Sequence, residues 1–143
     1  MQRKNLIRYT MNLRELNEKI QKLDLQQAVQ DWISENENLL LELFKEQLYR
    51  GEVGNTFYTY SSPSYQKEKL RMNPTARGKV DLYYTGKFYE GFYFDADNEG
   101  ISFYSKDSKT KDLETKYQNL FKVNANTKAK LVVRFKNELV GYL

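Results

Sequence analysis

The sequence predicts an α+β fold: an N-terminal helical region, a small, mostly antiparallel aromatic-rich sheet, and C-terminal helices. Three observations carry this. Residues 11–50 contain no Gly or Pro and repeat apolar residues at helical spacing. From residue 51 the texture changes to short Tyr-, Phe- and Thr-rich runs punctuated by Gly and Pro. Beyond residue 107 the helical period returns. A length of 143 residues fits a single domain, large enough to bury a core without staples. It divides into a helical region, 11–50, and an α+β core with a C-terminal helix, 51–143.

The elements follow in order. Asn12 with Glu15 reads as a capping box, and Leu13, Leu16, Ile20 and Leu23 lie on one helical stripe. Asp24 bends or restarts the helix. Ala28, Val29, Trp32 and Ile33 form the next apolar face, and Ser34 with Glu37 reads as a second box. Leu40, Phe44 and Leu48 recur at i, i+4, i+8, and Gly51 stops the pattern. A helical hairpin packed on a core accounts for this region. Thr56–Tyr60 is a short β-like run. Ser62 as N-cap and Pro63 in the first turn start a basic helix from Ser64 to about Arg71, which Asn73-Pro74 ends.

Val80–Tyr84 reads as a strand, Thr85-Gly86 as a turn or bulge, and Phe88–Asp95 as the best strand in the chain. Alternation places Phe88, Phe92 and Phe94 on one face, with Tyr89, Gly91, Tyr93 and Asp95 on the other. Asp97–Gly100 is the turn to a return strand, Ile101–Ser105. Asp107 or Ser108 caps a helix through Leu113 and Tyr117. A final helix, about Asn126 to Tyr142, carries Leu131, Phe135 and Leu139 on one stripe, with Val132, Val133 and Val140 beside it.

Composition excludes whole classes of chemistry. With no Cys there are no disulfides, thiolate nucleophiles or Cys-based zinc sites. With no His the commonest general base and transition-metal ligand are missing. The basic start, MQRKNLIRYT, is followed by no apolar h-region, and no stretch approaches the length of a membrane span. The remaining chemical candidates are thin. Residues 95–100, DADNEG, imitate the start of a calcium loop, but Lys106 stands where the closing Glu belongs. A polar hairpin turn is the better account. Ser64 and Lys67 form an S-x-x-K on a solvated helix, and Asp81 with the acids of 95–99 is a carboxylate set that nothing in the sequence brings together. No enzyme activity and no cofactor are therefore expected.

Two binding readings remain. Lys67, Lys69, Arg71, Arg77 and Lys79 cluster just before the aromatic strands, as basic residues do beside the ring-bearing sheets of single-strand binders. Asp81, Glu90, Asp95, Asp97 and Glu99 lie in or beside the same sheet, and a net charge of +4 is mild. A nucleic-acid-binding accessory protein is thus the alternative reading. The leading one is an interaction surface. Eight Tyr and five Phe fall between residues 57 and 104, more than one small sheet needs. Tyr buries area while keeping its hydroxyl wet, which suits interfaces. Tyr83, Gly86, Tyr89 and Tyr93 are the expected contact residues.

Three segments also carry a resemblance. QLYRGEVGNTFYTYSSPSYQKEK, ARGKVDLYYTGKFYEGFYF and SFYSKDSKTKDLETKYQNLF, in that order, resemble the neck, or tail-completion, proteins of tailed bacteriophages and prophages. The pattern is Q-L-Y-x-G after a long helix, a Tyr/Ser/Pro stretch leading to a Lys-rich helix, D-L-x-x-T-G-x-F, and D-x-K-x-x-x-L-x-x-K-Y. It spans about residues 47–121. Lys87 departs from it, standing where relatives carry an acid. The resemblance implies a non-enzymatic virion assembly protein, a homo-oligomeric ring where portal meets tail. It implies portal and tail proteins as partners, non-specific contact with passing DNA, no membrane, and a place in the virion and, during assembly, in the host cytoplasm.

Overall fold

The computed structural model describes residues 13–18, 25–97 and 100–142. It is an α+β fold. Residues 13–18 are helical (α1), followed by α2 (Leu25–Glu35), α3 (Glu37–Tyr49) and α4 (Pro63–Met72). A 3-10 turn, Pro74–Ala76, precedes a single helical turn, α5 (Lys87–Glu90), and the hairpin β1 (Phe92–Asp97) and β2 (Gly100–Ser105). Then come α6 (Thr110–Lys116), α7 (Ala125–Glu138) and a closing 3-10 turn, Leu139–Tyr142. The expectations placed on Asn12, Ile20, Leu23 and Asp24 fall outside the described residues, as does the Val140 side chain.

The core is built on α3. Leu40, Phe44 and Leu48 are fully buried, as the i, i+4, i+8 spacing predicts, and Gln47 joins them. Phe44 stacks on Phe103 at 4.5 Å between ring centroids and meets Phe92 at 5.2 Å. From α2, Ala28, Trp32 and Ile33 are buried, while Val29 turns outward. Leu13 is largely exposed, so the stripe predicted there does not bury it. The link between α1 and α2 lies outside the described residues. One residue, Asn36, separates α2 from α3, and its backbone at φ −123°, ψ 29° interrupts the helix. The Asn36 amide donates back to the Trp32 carbonyl at 2.8 Å, so the break sits at Asn36 and not at the predicted Ser34 box.

The C-terminal helix closes over this core. Asn124 caps α7 by accepting from the Thr127 N–H at 3.0 Å. Gln47 ties the helix entry down: its Nε2 donates to the Lys122 carbonyl and its Oε1 accepts from the Asn124 N–H. At the far end the Trp32 indole donates to Glu138 at 2.6 Å and packs edge-on against Phe135. Leu131 and Phe135 pack against the core as their stripe predicts, and Val132 and Val133 remain exposed.

The middle of the chain corrects two strand expectations. Val80–Tyr84 is not a strand. Lys79 makes a single bridge with Thr59, and the Val80 N–H donates to the Tyr58 carbonyl, but the ladder stops there. The Asp81 carboxylate accepts from the Tyr83 N–H at 2.9 Å, and Leu82 adopts φ +58°. A side chain bonded to its own backbone two residues on replaces strand pairing. Phe88–Asp95 is not one strand either. Gly86, at φ +86°, turns the chain into α5, where the Glu90 N–H donates to the Gly86 carbonyl. Phe88 and Tyr89 are therefore neighbours on a helical turn, and both are buried. Strand alternation starts only at Phe92.

From there the hairpin follows its predicted pattern. Tyr93 pairs with Tyr104 and Phe94 with Phe103, in antiparallel register from Phe92↔Ser105 to Asp97↔Gly100. Phe92 and Phe103 are buried and Phe94 packs against them, while Tyr93 and Tyr104 face outward. The Gly100 N–H donates to Asp97 Oδ1 where these two residues end the ladder.

Candidate functional site

The centre of the 58–90 region is a buried ion pair. Lys69, on the inward face of α4, is 4% exposed, and Asp81 is 1% exposed; Lys69 Nζ lies 2.9 Å from Asp81 Oδ1. A charge so buried needs a partner, and each has several. Lys69 also donates to the Tyr83 carbonyl at 2.5 Å. Asp81 Oδ2 accepts from Asn73 Nδ2, which also donates to the Tyr49 carbonyl. The Tyr60 hydroxyl donates to Asp81 Oδ1 at 3.4 Å, and the Tyr89 hydroxyl donates to the Asp81 carbonyl. Burial, reinforced by the Asp81 charge, pushes the Tyr60 and Tyr89 hydroxyls above the ordinary phenol range.

This network fixes one wall of a cleft of about 700 Å³. Tyr58, Tyr60, Tyr65, Tyr83, Tyr84 and Tyr117 supply its phenol rings, and Lys87, Lys109 and Lys116 its cations. Local rules place these groups. Tyr58 and Tyr60 alternate on an extended run, and Ser62 caps α4 by accepting from the Tyr65 N–H at 3.3 Å. Asp107 Oδ1 accepts from the Lys109 N–H at 2.8 Å, and the Thr110 hydroxyl donates to the Asp107 carbonyl, shaping the entry to α6. The rings meet edge-to-face: Tyr60 with Tyr65 at 4.9 Å, Tyr58 with Tyr117 at 5.0 Å. Lys109 Nζ lies over the Tyr84 ring, 5.5 Å from its centroid.

The residues predicted as contacts separate. Tyr89 belongs to the core: it is 7% exposed, stacked on Phe92 and bonded to Asp81. One helical turn in place of a strand moved it inward. Tyr83 is partly exposed and bridges Tyr49 and Tyr89 edge-on. Gly86 is a buried backbone hinge under the Tyr83 ring. Tyr93 alone of the four presents its ring on the outward face of the hairpin, beside Tyr104 at 5.5 Å. The basic set separates too. Lys69 is withdrawn into the ion pair, and Lys79 is half-buried, while Lys67, Arg71 and Arg77 stay exposed. None of the five lines the cleft. The cleft residues themselves, Tyr58, Tyr60, Tyr65, Tyr84, Tyr117, Lys87, Lys109 and Lys116, were missed as a group. The alternation of Tyr58 and Tyr60 before a capped helix was the available signal.

Among the described residues there is no cluster of three or more acids that could hold a metal ion, and no helix long and apolar enough to cross a membrane. No family model, no curated protein and no solved structure matches the chain.

Proposed function

We propose that this chain is a non-enzymatic assembly protein that self-associates, of the neck, connector or tail-completion class of tailed phages. In this reading it forms a ring between portal and tail, with virion proteins on either side, and passes through the host cytoplasm during assembly. The observation that supports it is the hairpin. Its two strands pair only with each other among the described residues, so each keeps an edge of backbone donors and acceptors. Such edges are templates for pairing with another chain. The outward face beside them carries Tyr93 and Tyr104, 38% and 39% exposed, with Lys106 over the Tyr93 ring. Aromatic anchors of this kind commonly dominate interfaces. The order of the three sequence segments supplies the class.

The test is mass in solution, alone and with purified portal protein, for the wild type and for Tyr93→Ser/Tyr104→Ser. The wild type is expected to form a discrete multimer in at least one condition. The double variant is expected to melt at nearly the wild-type temperature and to lose that multimer. A wild type that is monomeric in both conditions, or a double variant that assembles normally, refutes the reading.

A further inference from the structure

The tyrosine cleft lies apart from the hairpin face and has its own chemistry. Its size falls within the range of sites that enclose small ligands. Among the described residues its lining combines six phenol rings with three lysines and one carboxylate, a formal charge of +2. That carboxylate, Asp107, already accepts a backbone N–H through Oδ1. Among the described residues, no Asn, Gln or Arg contributes to the lining. A sugar site would want carboxylates and amides to bond hydroxyls. A groove for basic peptides would want acids at its rim. Neither set is present.

What is present suits alternating flat rings and anions. In a T-shaped pair the ring that offers its edge keeps its faces unstacked by its partner, and the cleft holds two such tyrosine pairs. Tyr84 stands at the rim, 72% exposed, with the Lys109 ammonium over one face of its ring. That exposure leaves ring surface for a stacked base, with the ammonium close by for the adjoining phosphate. We propose that this cleft binds single-stranded nucleic acid, stacking a base on Tyr84 and pairing neighbouring phosphates with Lys87, Lys109 and Lys116. Without amide side chains to read base edges, it discriminates little between sequences. The proposal does not rest on the assembly reading. The variants that test it lie in the cleft and leave Tyr93 and Tyr104 intact, so the two fail separately.

The experiment is fluorescence anisotropy with a fluorescein-labelled oligothymidylate of about eight nucleotides, within the span of known single-strand sites. Tyr84→Ala removes an exposed ring and leaves the fold in place. It is expected to weaken binding about 5- to 150-fold, the equivalent of one stacked base. Lys109→Ala is expected to flatten the slope of log affinity against log salt by about 0.7, one phosphate contact on a single strand. Lys67→Ala/Arg71→Ala, on the exposed face of α4, is expected to change affinity less than twofold, roughly the scale of a non-contacting surface change. Four results overturn the proposal: no binding by the wild type at low salt, full affinity in Tyr84→Ala, loss in the α4 variant equal to that in the cleft variants, or equal binding of inorganic polyphosphate. The last would mean that charge alone is recognised.

Discussion

Removing the Asp81 carboxylate should unfold the middle of the chain before anything else does. In Asp81→Ala the Lys69 ammonium, 4% exposed, loses its carboxylate and keeps the Tyr83 carbonyl. Asn73 Nδ2 keeps the Tyr49 carbonyl, and the Tyr83 N–H loses its acceptor. Taking one partner from a buried pair strands the other charge, at about 3–5 kcal/mol. For a domain near this size each kcal/mol moves the melting point by about 2–4 °C, so a fall of roughly 6–20 °C is expected. Lys69→Met alone should cost a similar amount by stranding Asp81. The double variant Lys69→Met/Asp81→Ala removes both charges together and should recover much of the loss, because apolar replacement of a buried pair is often near neutral. Urea unfolding of the four proteins closes the cycle, and the coupling should be several kcal/mol in size, on the order of the single losses. An Asp81→Ala variant that loses less than about 1 kcal/mol, or single losses that simply add, would refute the account.

The remaining expectations are local. Gly86→Val should cost about 1–3 kcal/mol, since φ is +86° and a Cβ would sit 3.1 Å from the Tyr83 hydroxyl. An unchanged melting temperature would remove the hinge. Phe92→Ala should lose about 3–5 kcal/mol in denaturant, the usual cost of emptying a packed aromatic site. Tyr89 makes stability depend on alkaline pH. Its unfolded phenol ionises near 10.0 while burial holds the folded one protonated, so its contribution is complete below that pH. Above it, stability should fall by up to about 1.4 kcal/mol per pH unit. Tyr89→Phe should lose about 1 kcal/mol at neutral pH and show a shallower alkaline limb in urea titrations from pH 9 to about 11. An alkaline limb as steep as wild type would place the titration elsewhere.

Elements fixed by neighbours in sequence were legible. The Ser62-Pro63 start of α4 needs only a cap side chain and a pre-set φ, and it forms as read. The Leu40, Phe44, Leu48 stripe needs only helical period. The hairpin needs only alternation from Phe92 onward and the Asp97–Gly100 turn. What failed depended on distant atoms. FYEGFYF satisfies a period of two, but a Cβ at Gly91 would lie 2.7 Å from Ser105 Oγ. That close approach requires Gly at 91, and the left-handed Gly86 opens the helical turn that replaces the first half of the strand. Lys69 looked like its neighbours Lys67 and Arg71, because lysine is rarely buried unless paired. Its partner is Asp81, and no local pattern announces a pair closed across the intervening Asn73–Val80 loop. The cleft was invisible for the same reason: its lysines come from α5 and from the 107–117 segment, its rings mostly from residues 58–84.

The aromatic excess therefore has two explanations, joined at one residue. Tyr49, Tyr83, Tyr89, Phe92, Phe44 and Phe103 run in unbroken ring contact from the surface to the centre of the core. Asp81 holds this series at Tyr83 and Tyr89, and it holds the cleft at Tyr60 and, again, Tyr83. A buried ion pair is weak evidence for stability, and its best-attested use is to fix register. Here the register is that of residues 81–83, whose backbone faces the core through Tyr89 and the cleft through Tyr83. Asp81→Asn keeps the volume and an acceptor for the Tyr83 N–H but leaves the Lys69 charge uncompensated, so it should fold with a lowered melting temperature. It should nonetheless loosen the Tyr60 and Tyr83 wall and weaken oligothymidylate binding, while leaving the Tyr93–Tyr104 surface and any multimer unchanged. Near-UV circular dichroism, anisotropy and solution mass on that one variant separate the three effects. Loss of the multimer with intact binding would mean that the hub serves the hairpin face and that the cleft wall stands without it.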